Sequence, residues 1–382
     1  MRVGLFTNNY LPFRGGVTTA VETLRRGLDG LGHRAWVFAP APSTSTVDPS
    51  TVLRYPSIPA PTYPGFALAL PFSRRLARYA ASLELDVIHA QHPFLLGVTA
   101  RRLARRGGQP LVFTYHTRYE KYAHYVPLPE RFVAAVAVML ACRFAGQADL
   151  VVAPSERIAA MLAERGVRSR VAVVPTGVPL DVFSVGDRDA ARRALGFPPD
   201  DPLCLYVGRL DREKSVQHII DAFGSIAGAV SGARLALVGQ GTYEPALRRR
   251  AEESPARDRI RFHGSVPREE IAPFYRAADL FLFASETETQ GLVLAEAHAC
   301  GLPAVAVRAS GVDEVVRDGE TGLLTKADAR ELADAAIGLL LDAERRRGFA
   351  MAARATAEKH FSATRQVETI VEHYASLLAR SG

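Results

Sequence analysis

Paired cysteines, long apolar runs and metal-ligand spacings are missing from this sequence. Its three cysteines, Cys142, Cys204 and Cys300, stand far apart in apolar surroundings. They build neither a disulfide framework nor a metal site, which points to a reducing compartment. The longest uninterrupted apolar run, Phe132 to Cys142, is too short to span a bilayer. Near the start, Val3 to Phe6 is too short for the apolar stretch of a secretory signal. No internal repeat, low-complexity segment or recognised nucleic-acid motif stands out, so no nucleic-acid partner is expected. Gly239-Gln240-Gly241 lacks the third glycine of a dinucleotide fingerprint. Asp187-Arg188-Asp189 is a D-x-D by letter, but it opens a helix, where acids are favoured anyway. No metal and no other cofactor is therefore expected.

What is present is ordinary in amount and uneven in placement. A chain of 382 residues is long enough for about two domains. Its 48% hydrophobic and 23% charged residues suit a globular protein. The net charge of +7 is concentrated early. Through Val178 there are 21 Lys and Arg against 10 Asp and Glu; the remainder has 26 against 30. A basic half points to an anionic surface as partner, although arginine-rich solvated helices would give the same count.

Strands alternate with helices throughout, which predicts two doubly wound α/β domains. Arg2–Phe6, Arg34–Ala39, Asp86–Ala90, Pro110–Thr114, Asp149–Ala153 and Arg170–Val174 read as strands of a first half. Leu203–Val207, Leu235–Val238, Ile260–Gly264, Leu280–Phe283 and Ala304–Val307 read as strands of a second. A loop from Arg14 through Gly15 and Gly16 precedes a helix over Thr18–Leu28. A Gly-Gly pair lets backbone approach a ligand where any side chain would clash. Ser57–Phe72 is rich in proline and aromatics, and a helix over Ser73–Leu83 carries Arg74, Arg75 and Arg78. Arg101, Arg102, Arg105 and Arg106 add a second basic patch. Apolar residues beside arginines suit an interfacial membrane contact as well as a solvated helix over a loop. The apolar run in Glu130–Gly146 predicts a buried helix.

Ser285–Pro303 is the stretch around which the chain is organised. A strand, a polar turn over Glu286–Gln290, Gly291, and then a helix stopped by Gly301 and Pro303 place a helix N-terminus at the end of a strand. Free N–H groups and the positive helix dipole there suit an anion. Glu288 and Glu296 flank it and suit hydroxyl groups on either side of a phosphate; read alone, they are also a turn acid and a solvated helix acid. Gly208-Arg209-Leu210 follows a strand, with Glu213 and Lys214 next. Arg209 offers a planar fork and Lys214 a point charge to a diphosphate that gains charge as it leaves; a basic surface turn is the plainer alternative.

The run Glu288–Ala297 (ETQGLVLAEA) resembles the nucleotide-sugar signature of family 4 retaining glycosyltransferases, in the version of the branch that glycosylates diacylglycerol. G-R-L-x-x-E-K over Gly208–Lys214 is similar to that family's diphosphate clamp, and Tyr115–Pro127 (YHTRYEKYAHYVP) resembles a motif of the lipid branch. The resemblance implies a GT-B fold, two Rossmann-like domains facing across a cleft. It implies domains at 1–178 and 179–365, with 366–382 a helix crossing back to the first. It places Glu288 on sugar hydroxyls and Glu296 on the ribose. Arg209, Lys214 and the N–H groups of Gly291, Leu292 and Val293 take the diphosphate. Gly208 and Val266 lie in backbone segments that bind the donor. His116 lies over the donor sugar, Gly15 and Gly16 face the phosphates, and His92 supports the pocket. The implied activity is transfer of a hexose from a nucleotide sugar, UDP-glucose, to a lipid acceptor, diacylglycerol, on the inner face of the plasma membrane, by a cytoplasmic peripheral protein. The alternatives are a GDP-mannose-dependent mannosyltransferase acting on phosphatidylinositol or a glycolipid, a UDP-sugar 2-epimerase, and a non-catalytic basic surface-binding protein.

Overall fold

The computed structural model describes residues 1–13, 15–42, 48–60, 66–126 and 128–381. Arg14 of the glycine loop and residues 61–65 of the proline-rich stretch lie outside the described residues. The chain forms two compact units, Met1–Gly177 with Ala363–Gly382, and Val178–Ser362.

Among the described residues the first unit holds nine strands: β1 (Arg2–Phe6), β2 (Arg34–Pro40), β3 (Val52–Tyr55), β4 (Ser57–Pro59), β5 (Ala67–Ala69), β6 (Val87–Ala90), β7 (Leu111–Thr114), β8 (Leu150–Ala153) and β9 (Val171–Val173). Its helices include α1 (Gly16–Gly30), α2 (Arg74–Ser82), α3 (Leu96–Gly107), α4 (Glu130–Ala145) and α5 (Glu156–Glu164). Seven strands make one sheet in the order β3-β2-β1-β6-β7-β8-β9, and β4 pairs with β5. The paired neighbours in the large sheet are all parallel. Alternation along each strand feeds two cores. Val3 and Leu5 of β1 pack with α1 through Val21, Leu24 and Leu28. Phe6 packs on the opposite face with Ala100 of α3, Phe144 of α4 and Ile158 of α5. Burial on both faces is why these strands read as nearly continuous apolar runs.

The second unit holds β10 (Leu203–Val207), β11 (Arg234–Val238), β12 (Ile260–Gly264), β13 (Leu280–Phe283), β14 (Ala304–Val307) and β15 (Gly322–Thr325). Its helices are α6 (Arg188–Leu195), α7 (Val216–Ala229), α8 (Glu244–Glu252), α9 (Ala272–Ala277), α10 (Leu292–Ala299), α11 (Ala329–Leu341) and α12 (Ala343–His360). The sheet order is β12-β11-β10-β13-β14-β15. A last helix, α13 (Ala363–Ser381), belongs to the first unit and buries Val367, Ile370 and Tyr374 beside α1.

In each sheet the chain runs outward in one direction, then restarts beside its first strand and runs the other way. The reversal falls between β1 and β6 in one unit and between β10 and β13 in the other. Ligands of open α/β sheets bind outside the carboxyl ends of the strands at that reversal. The segments after β10 and β13 are Gly208–Lys214 and Ser285–Gly291; those after β1 and β6 include Asn8 and Gln91.

One expectation is overturned. The helix over the apolar run is α4, and it is not buried. Only Ala141, Phe144 and Ala145 are in the core, while Phe132, Met139 and Leu140 are exposed. An all-round apolar pattern marks a helix that prefers to avoid water, but the pattern does not supply a neighbour to cover it. Here the sheet is covered on that side by α3, α5 and the end of α4.

Candidate functional site

In the second unit, the buried strand β10 ends at Val207, and the turn that Gly208 opens is held by backbone. Gly208 donates its N–H to Val238 and Leu210 to Gln240, at 3.0 Å each. The glycines of Gly239-Gln240-Gly241 are explained by this contact. A Cβ on Gly239, whose φ is +137°, would sit 1.8 Å from the Gly208 carbonyl oxygen. The Tyr206 hydroxyl donates to the Arg209 carbonyl at 2.9 Å. The Arg209 guanidinium is held by two acids of its own loop, Asp211 and Glu213, the latter at 2.8 Å. Asp211 is fully buried and accepts from Thr242 through both the backbone N–H (2.8 Å) and the hydroxyl (2.9 Å). Arg209 is therefore aimed before any ligand arrives.

The two motif loops meet at Lys214 and Glu288. Lys214 Nζ donates to Glu288 Oε1 at 2.6 Å. Burial would raise the Glu288 carboxyl, but the Lys214 ammonium, the Ser285 hydroxyl and the Arg209 charge together hold it below the usual carboxylate range. Glu288 is thus an anion with acceptor capacity for hydroxyl donors, and Lys214 has three N–H donors to share with an anion. The turn carrying Glu288 is backed by a second backbone contact. Gly311 has φ +81°, and a Cβ there would lie 2.6 Å from the Thr289 carbonyl carbon.

Gly291 caps α10 in the left-handed conformation, so Leu292 and Val293 are in its first turn. The first N–H groups of a helix have no intrahelical partner. Glu296, one turn further on, is only 3% exposed. It accepts from Arg268 Nη1 at 2.5 Å and from the Tyr275 hydroxyl at 2.8 Å. Burial and the Glu296 charge hold the Tyr275 phenol well above its ordinary range, so it stays a donor. Arg268 also lies over the Phe183 ring, 5.0 Å from its centroid. Val266, two residues before Arg268, is half-buried against the unit's core. Asp211, Arg268 and Tyr275 were not found by sequence reasoning. Only Asp211 lay inside a motif, at one of its variable positions.

In the first unit, the residues after β1, β6 and β7 form a buried polar layer. His116 shares its Nε2 with Gln91 Oε1 at 2.7 Å. Burial lowers its imidazole to about 4, so it is neutral at ordinary pH. His92 accepts the Asn8 backbone N–H on Nδ1 at 3.1 Å. Asn8 itself accepts from Leu96 N–H and donates to the Phe94 carbonyl, at 3.1 Å each, which ties β1 to the start of α3. His89 bridges the Tyr374 hydroxyl (2.6 Å) and the Thr114 hydroxyl (2.7 Å). Gly15 caps α1 and Gly16 opens it. A Cβ on Gly16 would meet nothing within 4 Å, so no packing within the described residues requires glycine there. Gln91 is a further residue that sequence reasoning passed over.

Among the described residues no group of three or more His, Cys, Asp or Glu is placed to hold a metal ion. Asp187 of the D-x-D caps α6, accepting the Ala190 N–H at 2.9 Å. Among the described residues no helix is long and apolar enough to cross a membrane.

Two family models match the chain: "Glycosyltransferase Family 4" over residues 14–182 and "Glycosyl transferases group 1" over residues 187–356. Alpha-monoglucosyldiacylglycerol synthase of Acholeplasma laidlawii is 33% identical over 337 residues, 85% of this chain and 84% of that protein. A D-inositol 3-phosphate glycosyltransferase of Xylanimonas cellulosilytica is 31% identical over 96% of this chain and 93% of its own. In fold, the chain is similar to sucrose-phosphate synthase from Thermosynechococcus elongatus, with a TM-score of 0.84 and 24% identity over 99% of both chains.

Proposed function

The chain belongs to glycosyltransferase family 4, with the GT-B fold, in the branch that includes the diacylglycerol glucosyltransferases, and from that membership we propose which sugar it moves and to what. It is a hexosyltransferase. The donor is UDP-glucose and the acceptor is diacylglycerol, with retention at the anomeric carbon. The observation that carries the reading is the Lys214–Glu288 pair, a cation and a hydroxyl acceptor joined at 2.6 Å where the sheet order reverses.

In the reaction, the bond from the sugar's anomeric carbon to the β-phosphate oxygen breaks. The acceptor oxygen bonds to that carbon on the same face, and its proton passes to the departing diphosphate. Arg209, Lys214 and the first N–H groups of α10, at Gly291, Leu292 and Val293, stabilise the charge that grows on the diphosphate. Glu288 holds sugar hydroxyls. Glu296, fixed by Arg268 and Tyr275, takes the ribose hydroxyls. His116, Gly15 and Gly16 keep the donor-facing roles that the family likeness assigns them, as do the Gly208 and Val266 segments. The reaction as proposed uses no metal and no other cofactor.

The protein works peripherally at the inner face of the plasma membrane. The exposed arginines Arg74, Arg75 and Arg78 of α2 and Arg102, Arg105 and Arg106 of α3 support an anionic lipid surface as partner. A second reading, sugar transfer to inositol phosphate or phosphatidylinositol, is favoured by the inositol phosphate glycosyltransferases among the relatives.

The test is a screen of UDP-glucose, UDP-galactose, UDP-GlcNAc and GDP-mannose with diacylglycerol, phosphatidylinositol or inositol phosphate, products read by mass spectrometry. Glucosyl-diacylglycerol from UDP-glucose is the expected product. Transfer only to an inositol-containing acceptor would replace the first reading with the second.

A further inference from the structure

The two glycines at the start of α1 are not explained by the fold. Gly15 has φ −179°, extended backbone that any residue adopts. A Cβ on it would meet only the Phe13 ring, at an ordinary 3.5 Å, and a Cβ on Gly16 would meet nothing within 4 Å. Neither conformation nor packing within the described residues asks for glycine at Gly15 or Gly16. A bare backbone that the chain itself does not use leaves room for a molecule outside it.

The segment that leads to these glycines is gripped twice. Tyr10 is buried, and its hydroxyl donates to Glu22 of α1 at 2.5 Å. Glu22 also accepts from Arg25, at 2.8 and 2.9 Å, and from Arg26, at 2.7 Å. Burial would raise the Glu22 carboxyl, but Arg25, Tyr10 and Arg26 hold it at about 2, so it stays an anion at ordinary pH. The second grip is Arg54 of the edge strand β3. Its Nη2 donates to the Leu11 carbonyl at 2.7 Å and its Nη1 to the Pro40 carbonyl at 3.0 Å. Asp48 accepts two further bonds from it, at 2.6 and 2.9 Å. The guanidinium also lies over the Tyr10 ring, 5.5 Å from its centroid. One side chain thus joins the end of β2, Asp48 and the chain just before the glycines. From there Phe13 donates its N–H to the Tyr10 carbonyl at 3.2 Å and accepts from the Thr18 hydroxyl at 3.0 Å.

We propose that Arg54, acting through Leu11 and Tyr10, is a positioning residue that sets the backbone of Gly15 and Gly16 for a phosphate oxygen of the nucleotide sugar. The proposal rests on the donor-facing role given to those glycines above and names what holds them to it. β3 is already fixed to its sheet by its ladder with β2, from Val37 against Val52 to Pro40 against Tyr55. Arg54 adds a cross-tie from that ladder to the loop. Its planar fork reaches three separate acceptors at once, which the point charge of a lysine does not do.

The test uses the full chain with UDP-glucose and diacylglycerol in detergent micelles, each variant assayed well below its melting temperature. Arg54→Ala should lower kcat by about 10²-fold, the cost of misplacing a group by about 1 Å. Its KM for UDP-glucose should change little, because the charge on the phosphate grows only as the sugar bond breaks. Added guanidinium ion should restore part of the kcat of Arg54→Ala and none of that of Arg54→Lys, whose own stem fills the space. Amide exchange reads the grip directly. The Phe13 N–H, and the Thr19 N–H bonded to the Gly15 carbonyl at 3.0 Å, should lose protection in Arg54→Ala, while Leu24 and Leu28 of α1 keep theirs. Tyr10→Phe, which keeps the ring and loses only the bond to Glu22, should show a smaller loss of both kcat and protection. Wild-type kcat or unchanged exchange at Phe13 in Arg54→Ala would overturn the proposal. So would a loss of kcat that follows melting temperature alone and that guanidinium does not relieve. If the wild type turns over no UDP-glucose, the functional reading falls, while exchange at Phe13 and Thr19 still decides whether Arg54 holds the loop.

Discussion

Lys214 and Glu288 are far apart in sequence and 2.6 Å apart in the structure. If the pair acts on the donor as proposed, its members fail differently. Glu288→Gln keeps the shape and loses the charge, so nucleoside diphosphate binding should survive and kcat should fall by about 10²–10³. Lys214→Ala should weaken diphosphate binding as well, seen as a raised KM together with a lowered kcat. Steady-state kinetics with calorimetric nucleotide binding check both. A second prediction concerns the buried histidines. Burial lowers His89, His92 and His298 to about 3 and His116 to about 4, from an ordinary 6.5. As pH falls below 6.5, the unfolded chain takes up protons that the folded chain refuses. Stability is then complete above 6.5 and is lost as pH falls toward these lower values, by up to about 1.4 kcal/mol per pH unit for each group. Melting temperatures should drop across that window, and His92→Gln should flatten the slope. A melting temperature constant over the window would contradict it. Glu288 and Lys214 were legible as residues because each sits in a motif. Arg268, Tyr275 and Gln91 were not, because a partner residue is defined by where the chain brings it.

The elements that carry these residues depend on glycines packed against backbone. Gly239→Ala would push a methyl into the Gly208 carbonyl, and Gly311→Ala would push one into the Thr289 backbone. No side-chain rotation relieves either clash, and both residues have positive φ. Each substitution should destabilise the second unit by about 3 kcal/mol. Gly16→Ala, in open space, should change stability far less. Calorimetry of the three variants tests the contrast. Element identity was well marked in the sequence. β1, β10, β12, β13 and β14 occupy the residues expected of them. The edge strands β3 and β15 had no such signal, since Val52–Tyr55 includes an arginine and Gly322–Thr325 is short and half-buried. The exposure of α4 is not legible in its sequence, because hydrophobic periodicity records the helix and not its neighbours.

At the scale of the whole molecule, the last helix completes a unit begun some 360 residues earlier. Val367 packs against Gly27 so closely that a Cβ on that glycine would lie 2.4 Å from it. Tyr374 is fully buried and bonded to His89. Tyr374→Phe should therefore loosen the first unit by about 1–3 kcal/mol. Hydrogen exchange should show the loss of protection confined to residues of Met1–Gly177 and α13, with Val178–Ser362 unchanged. Loss of protection spread evenly over both units would refute that division of the stability.

By itself the sequence determined the strand-helix alternation, the two loops that end β10 and β13, and the sign of the charge on the first half. These are local properties: a period, a glycine at a turn, a count of arginines. Tertiary structure decided which loops meet at the reversal of strand order, that Asp211 and Glu213 aim Arg209, and that Arg268 and Tyr275 hold Glu296. It also decided that α4 stays uncovered. Each of these depends on what the folded chain brings within a few ångströms, and separation in sequence carries no record of that distance.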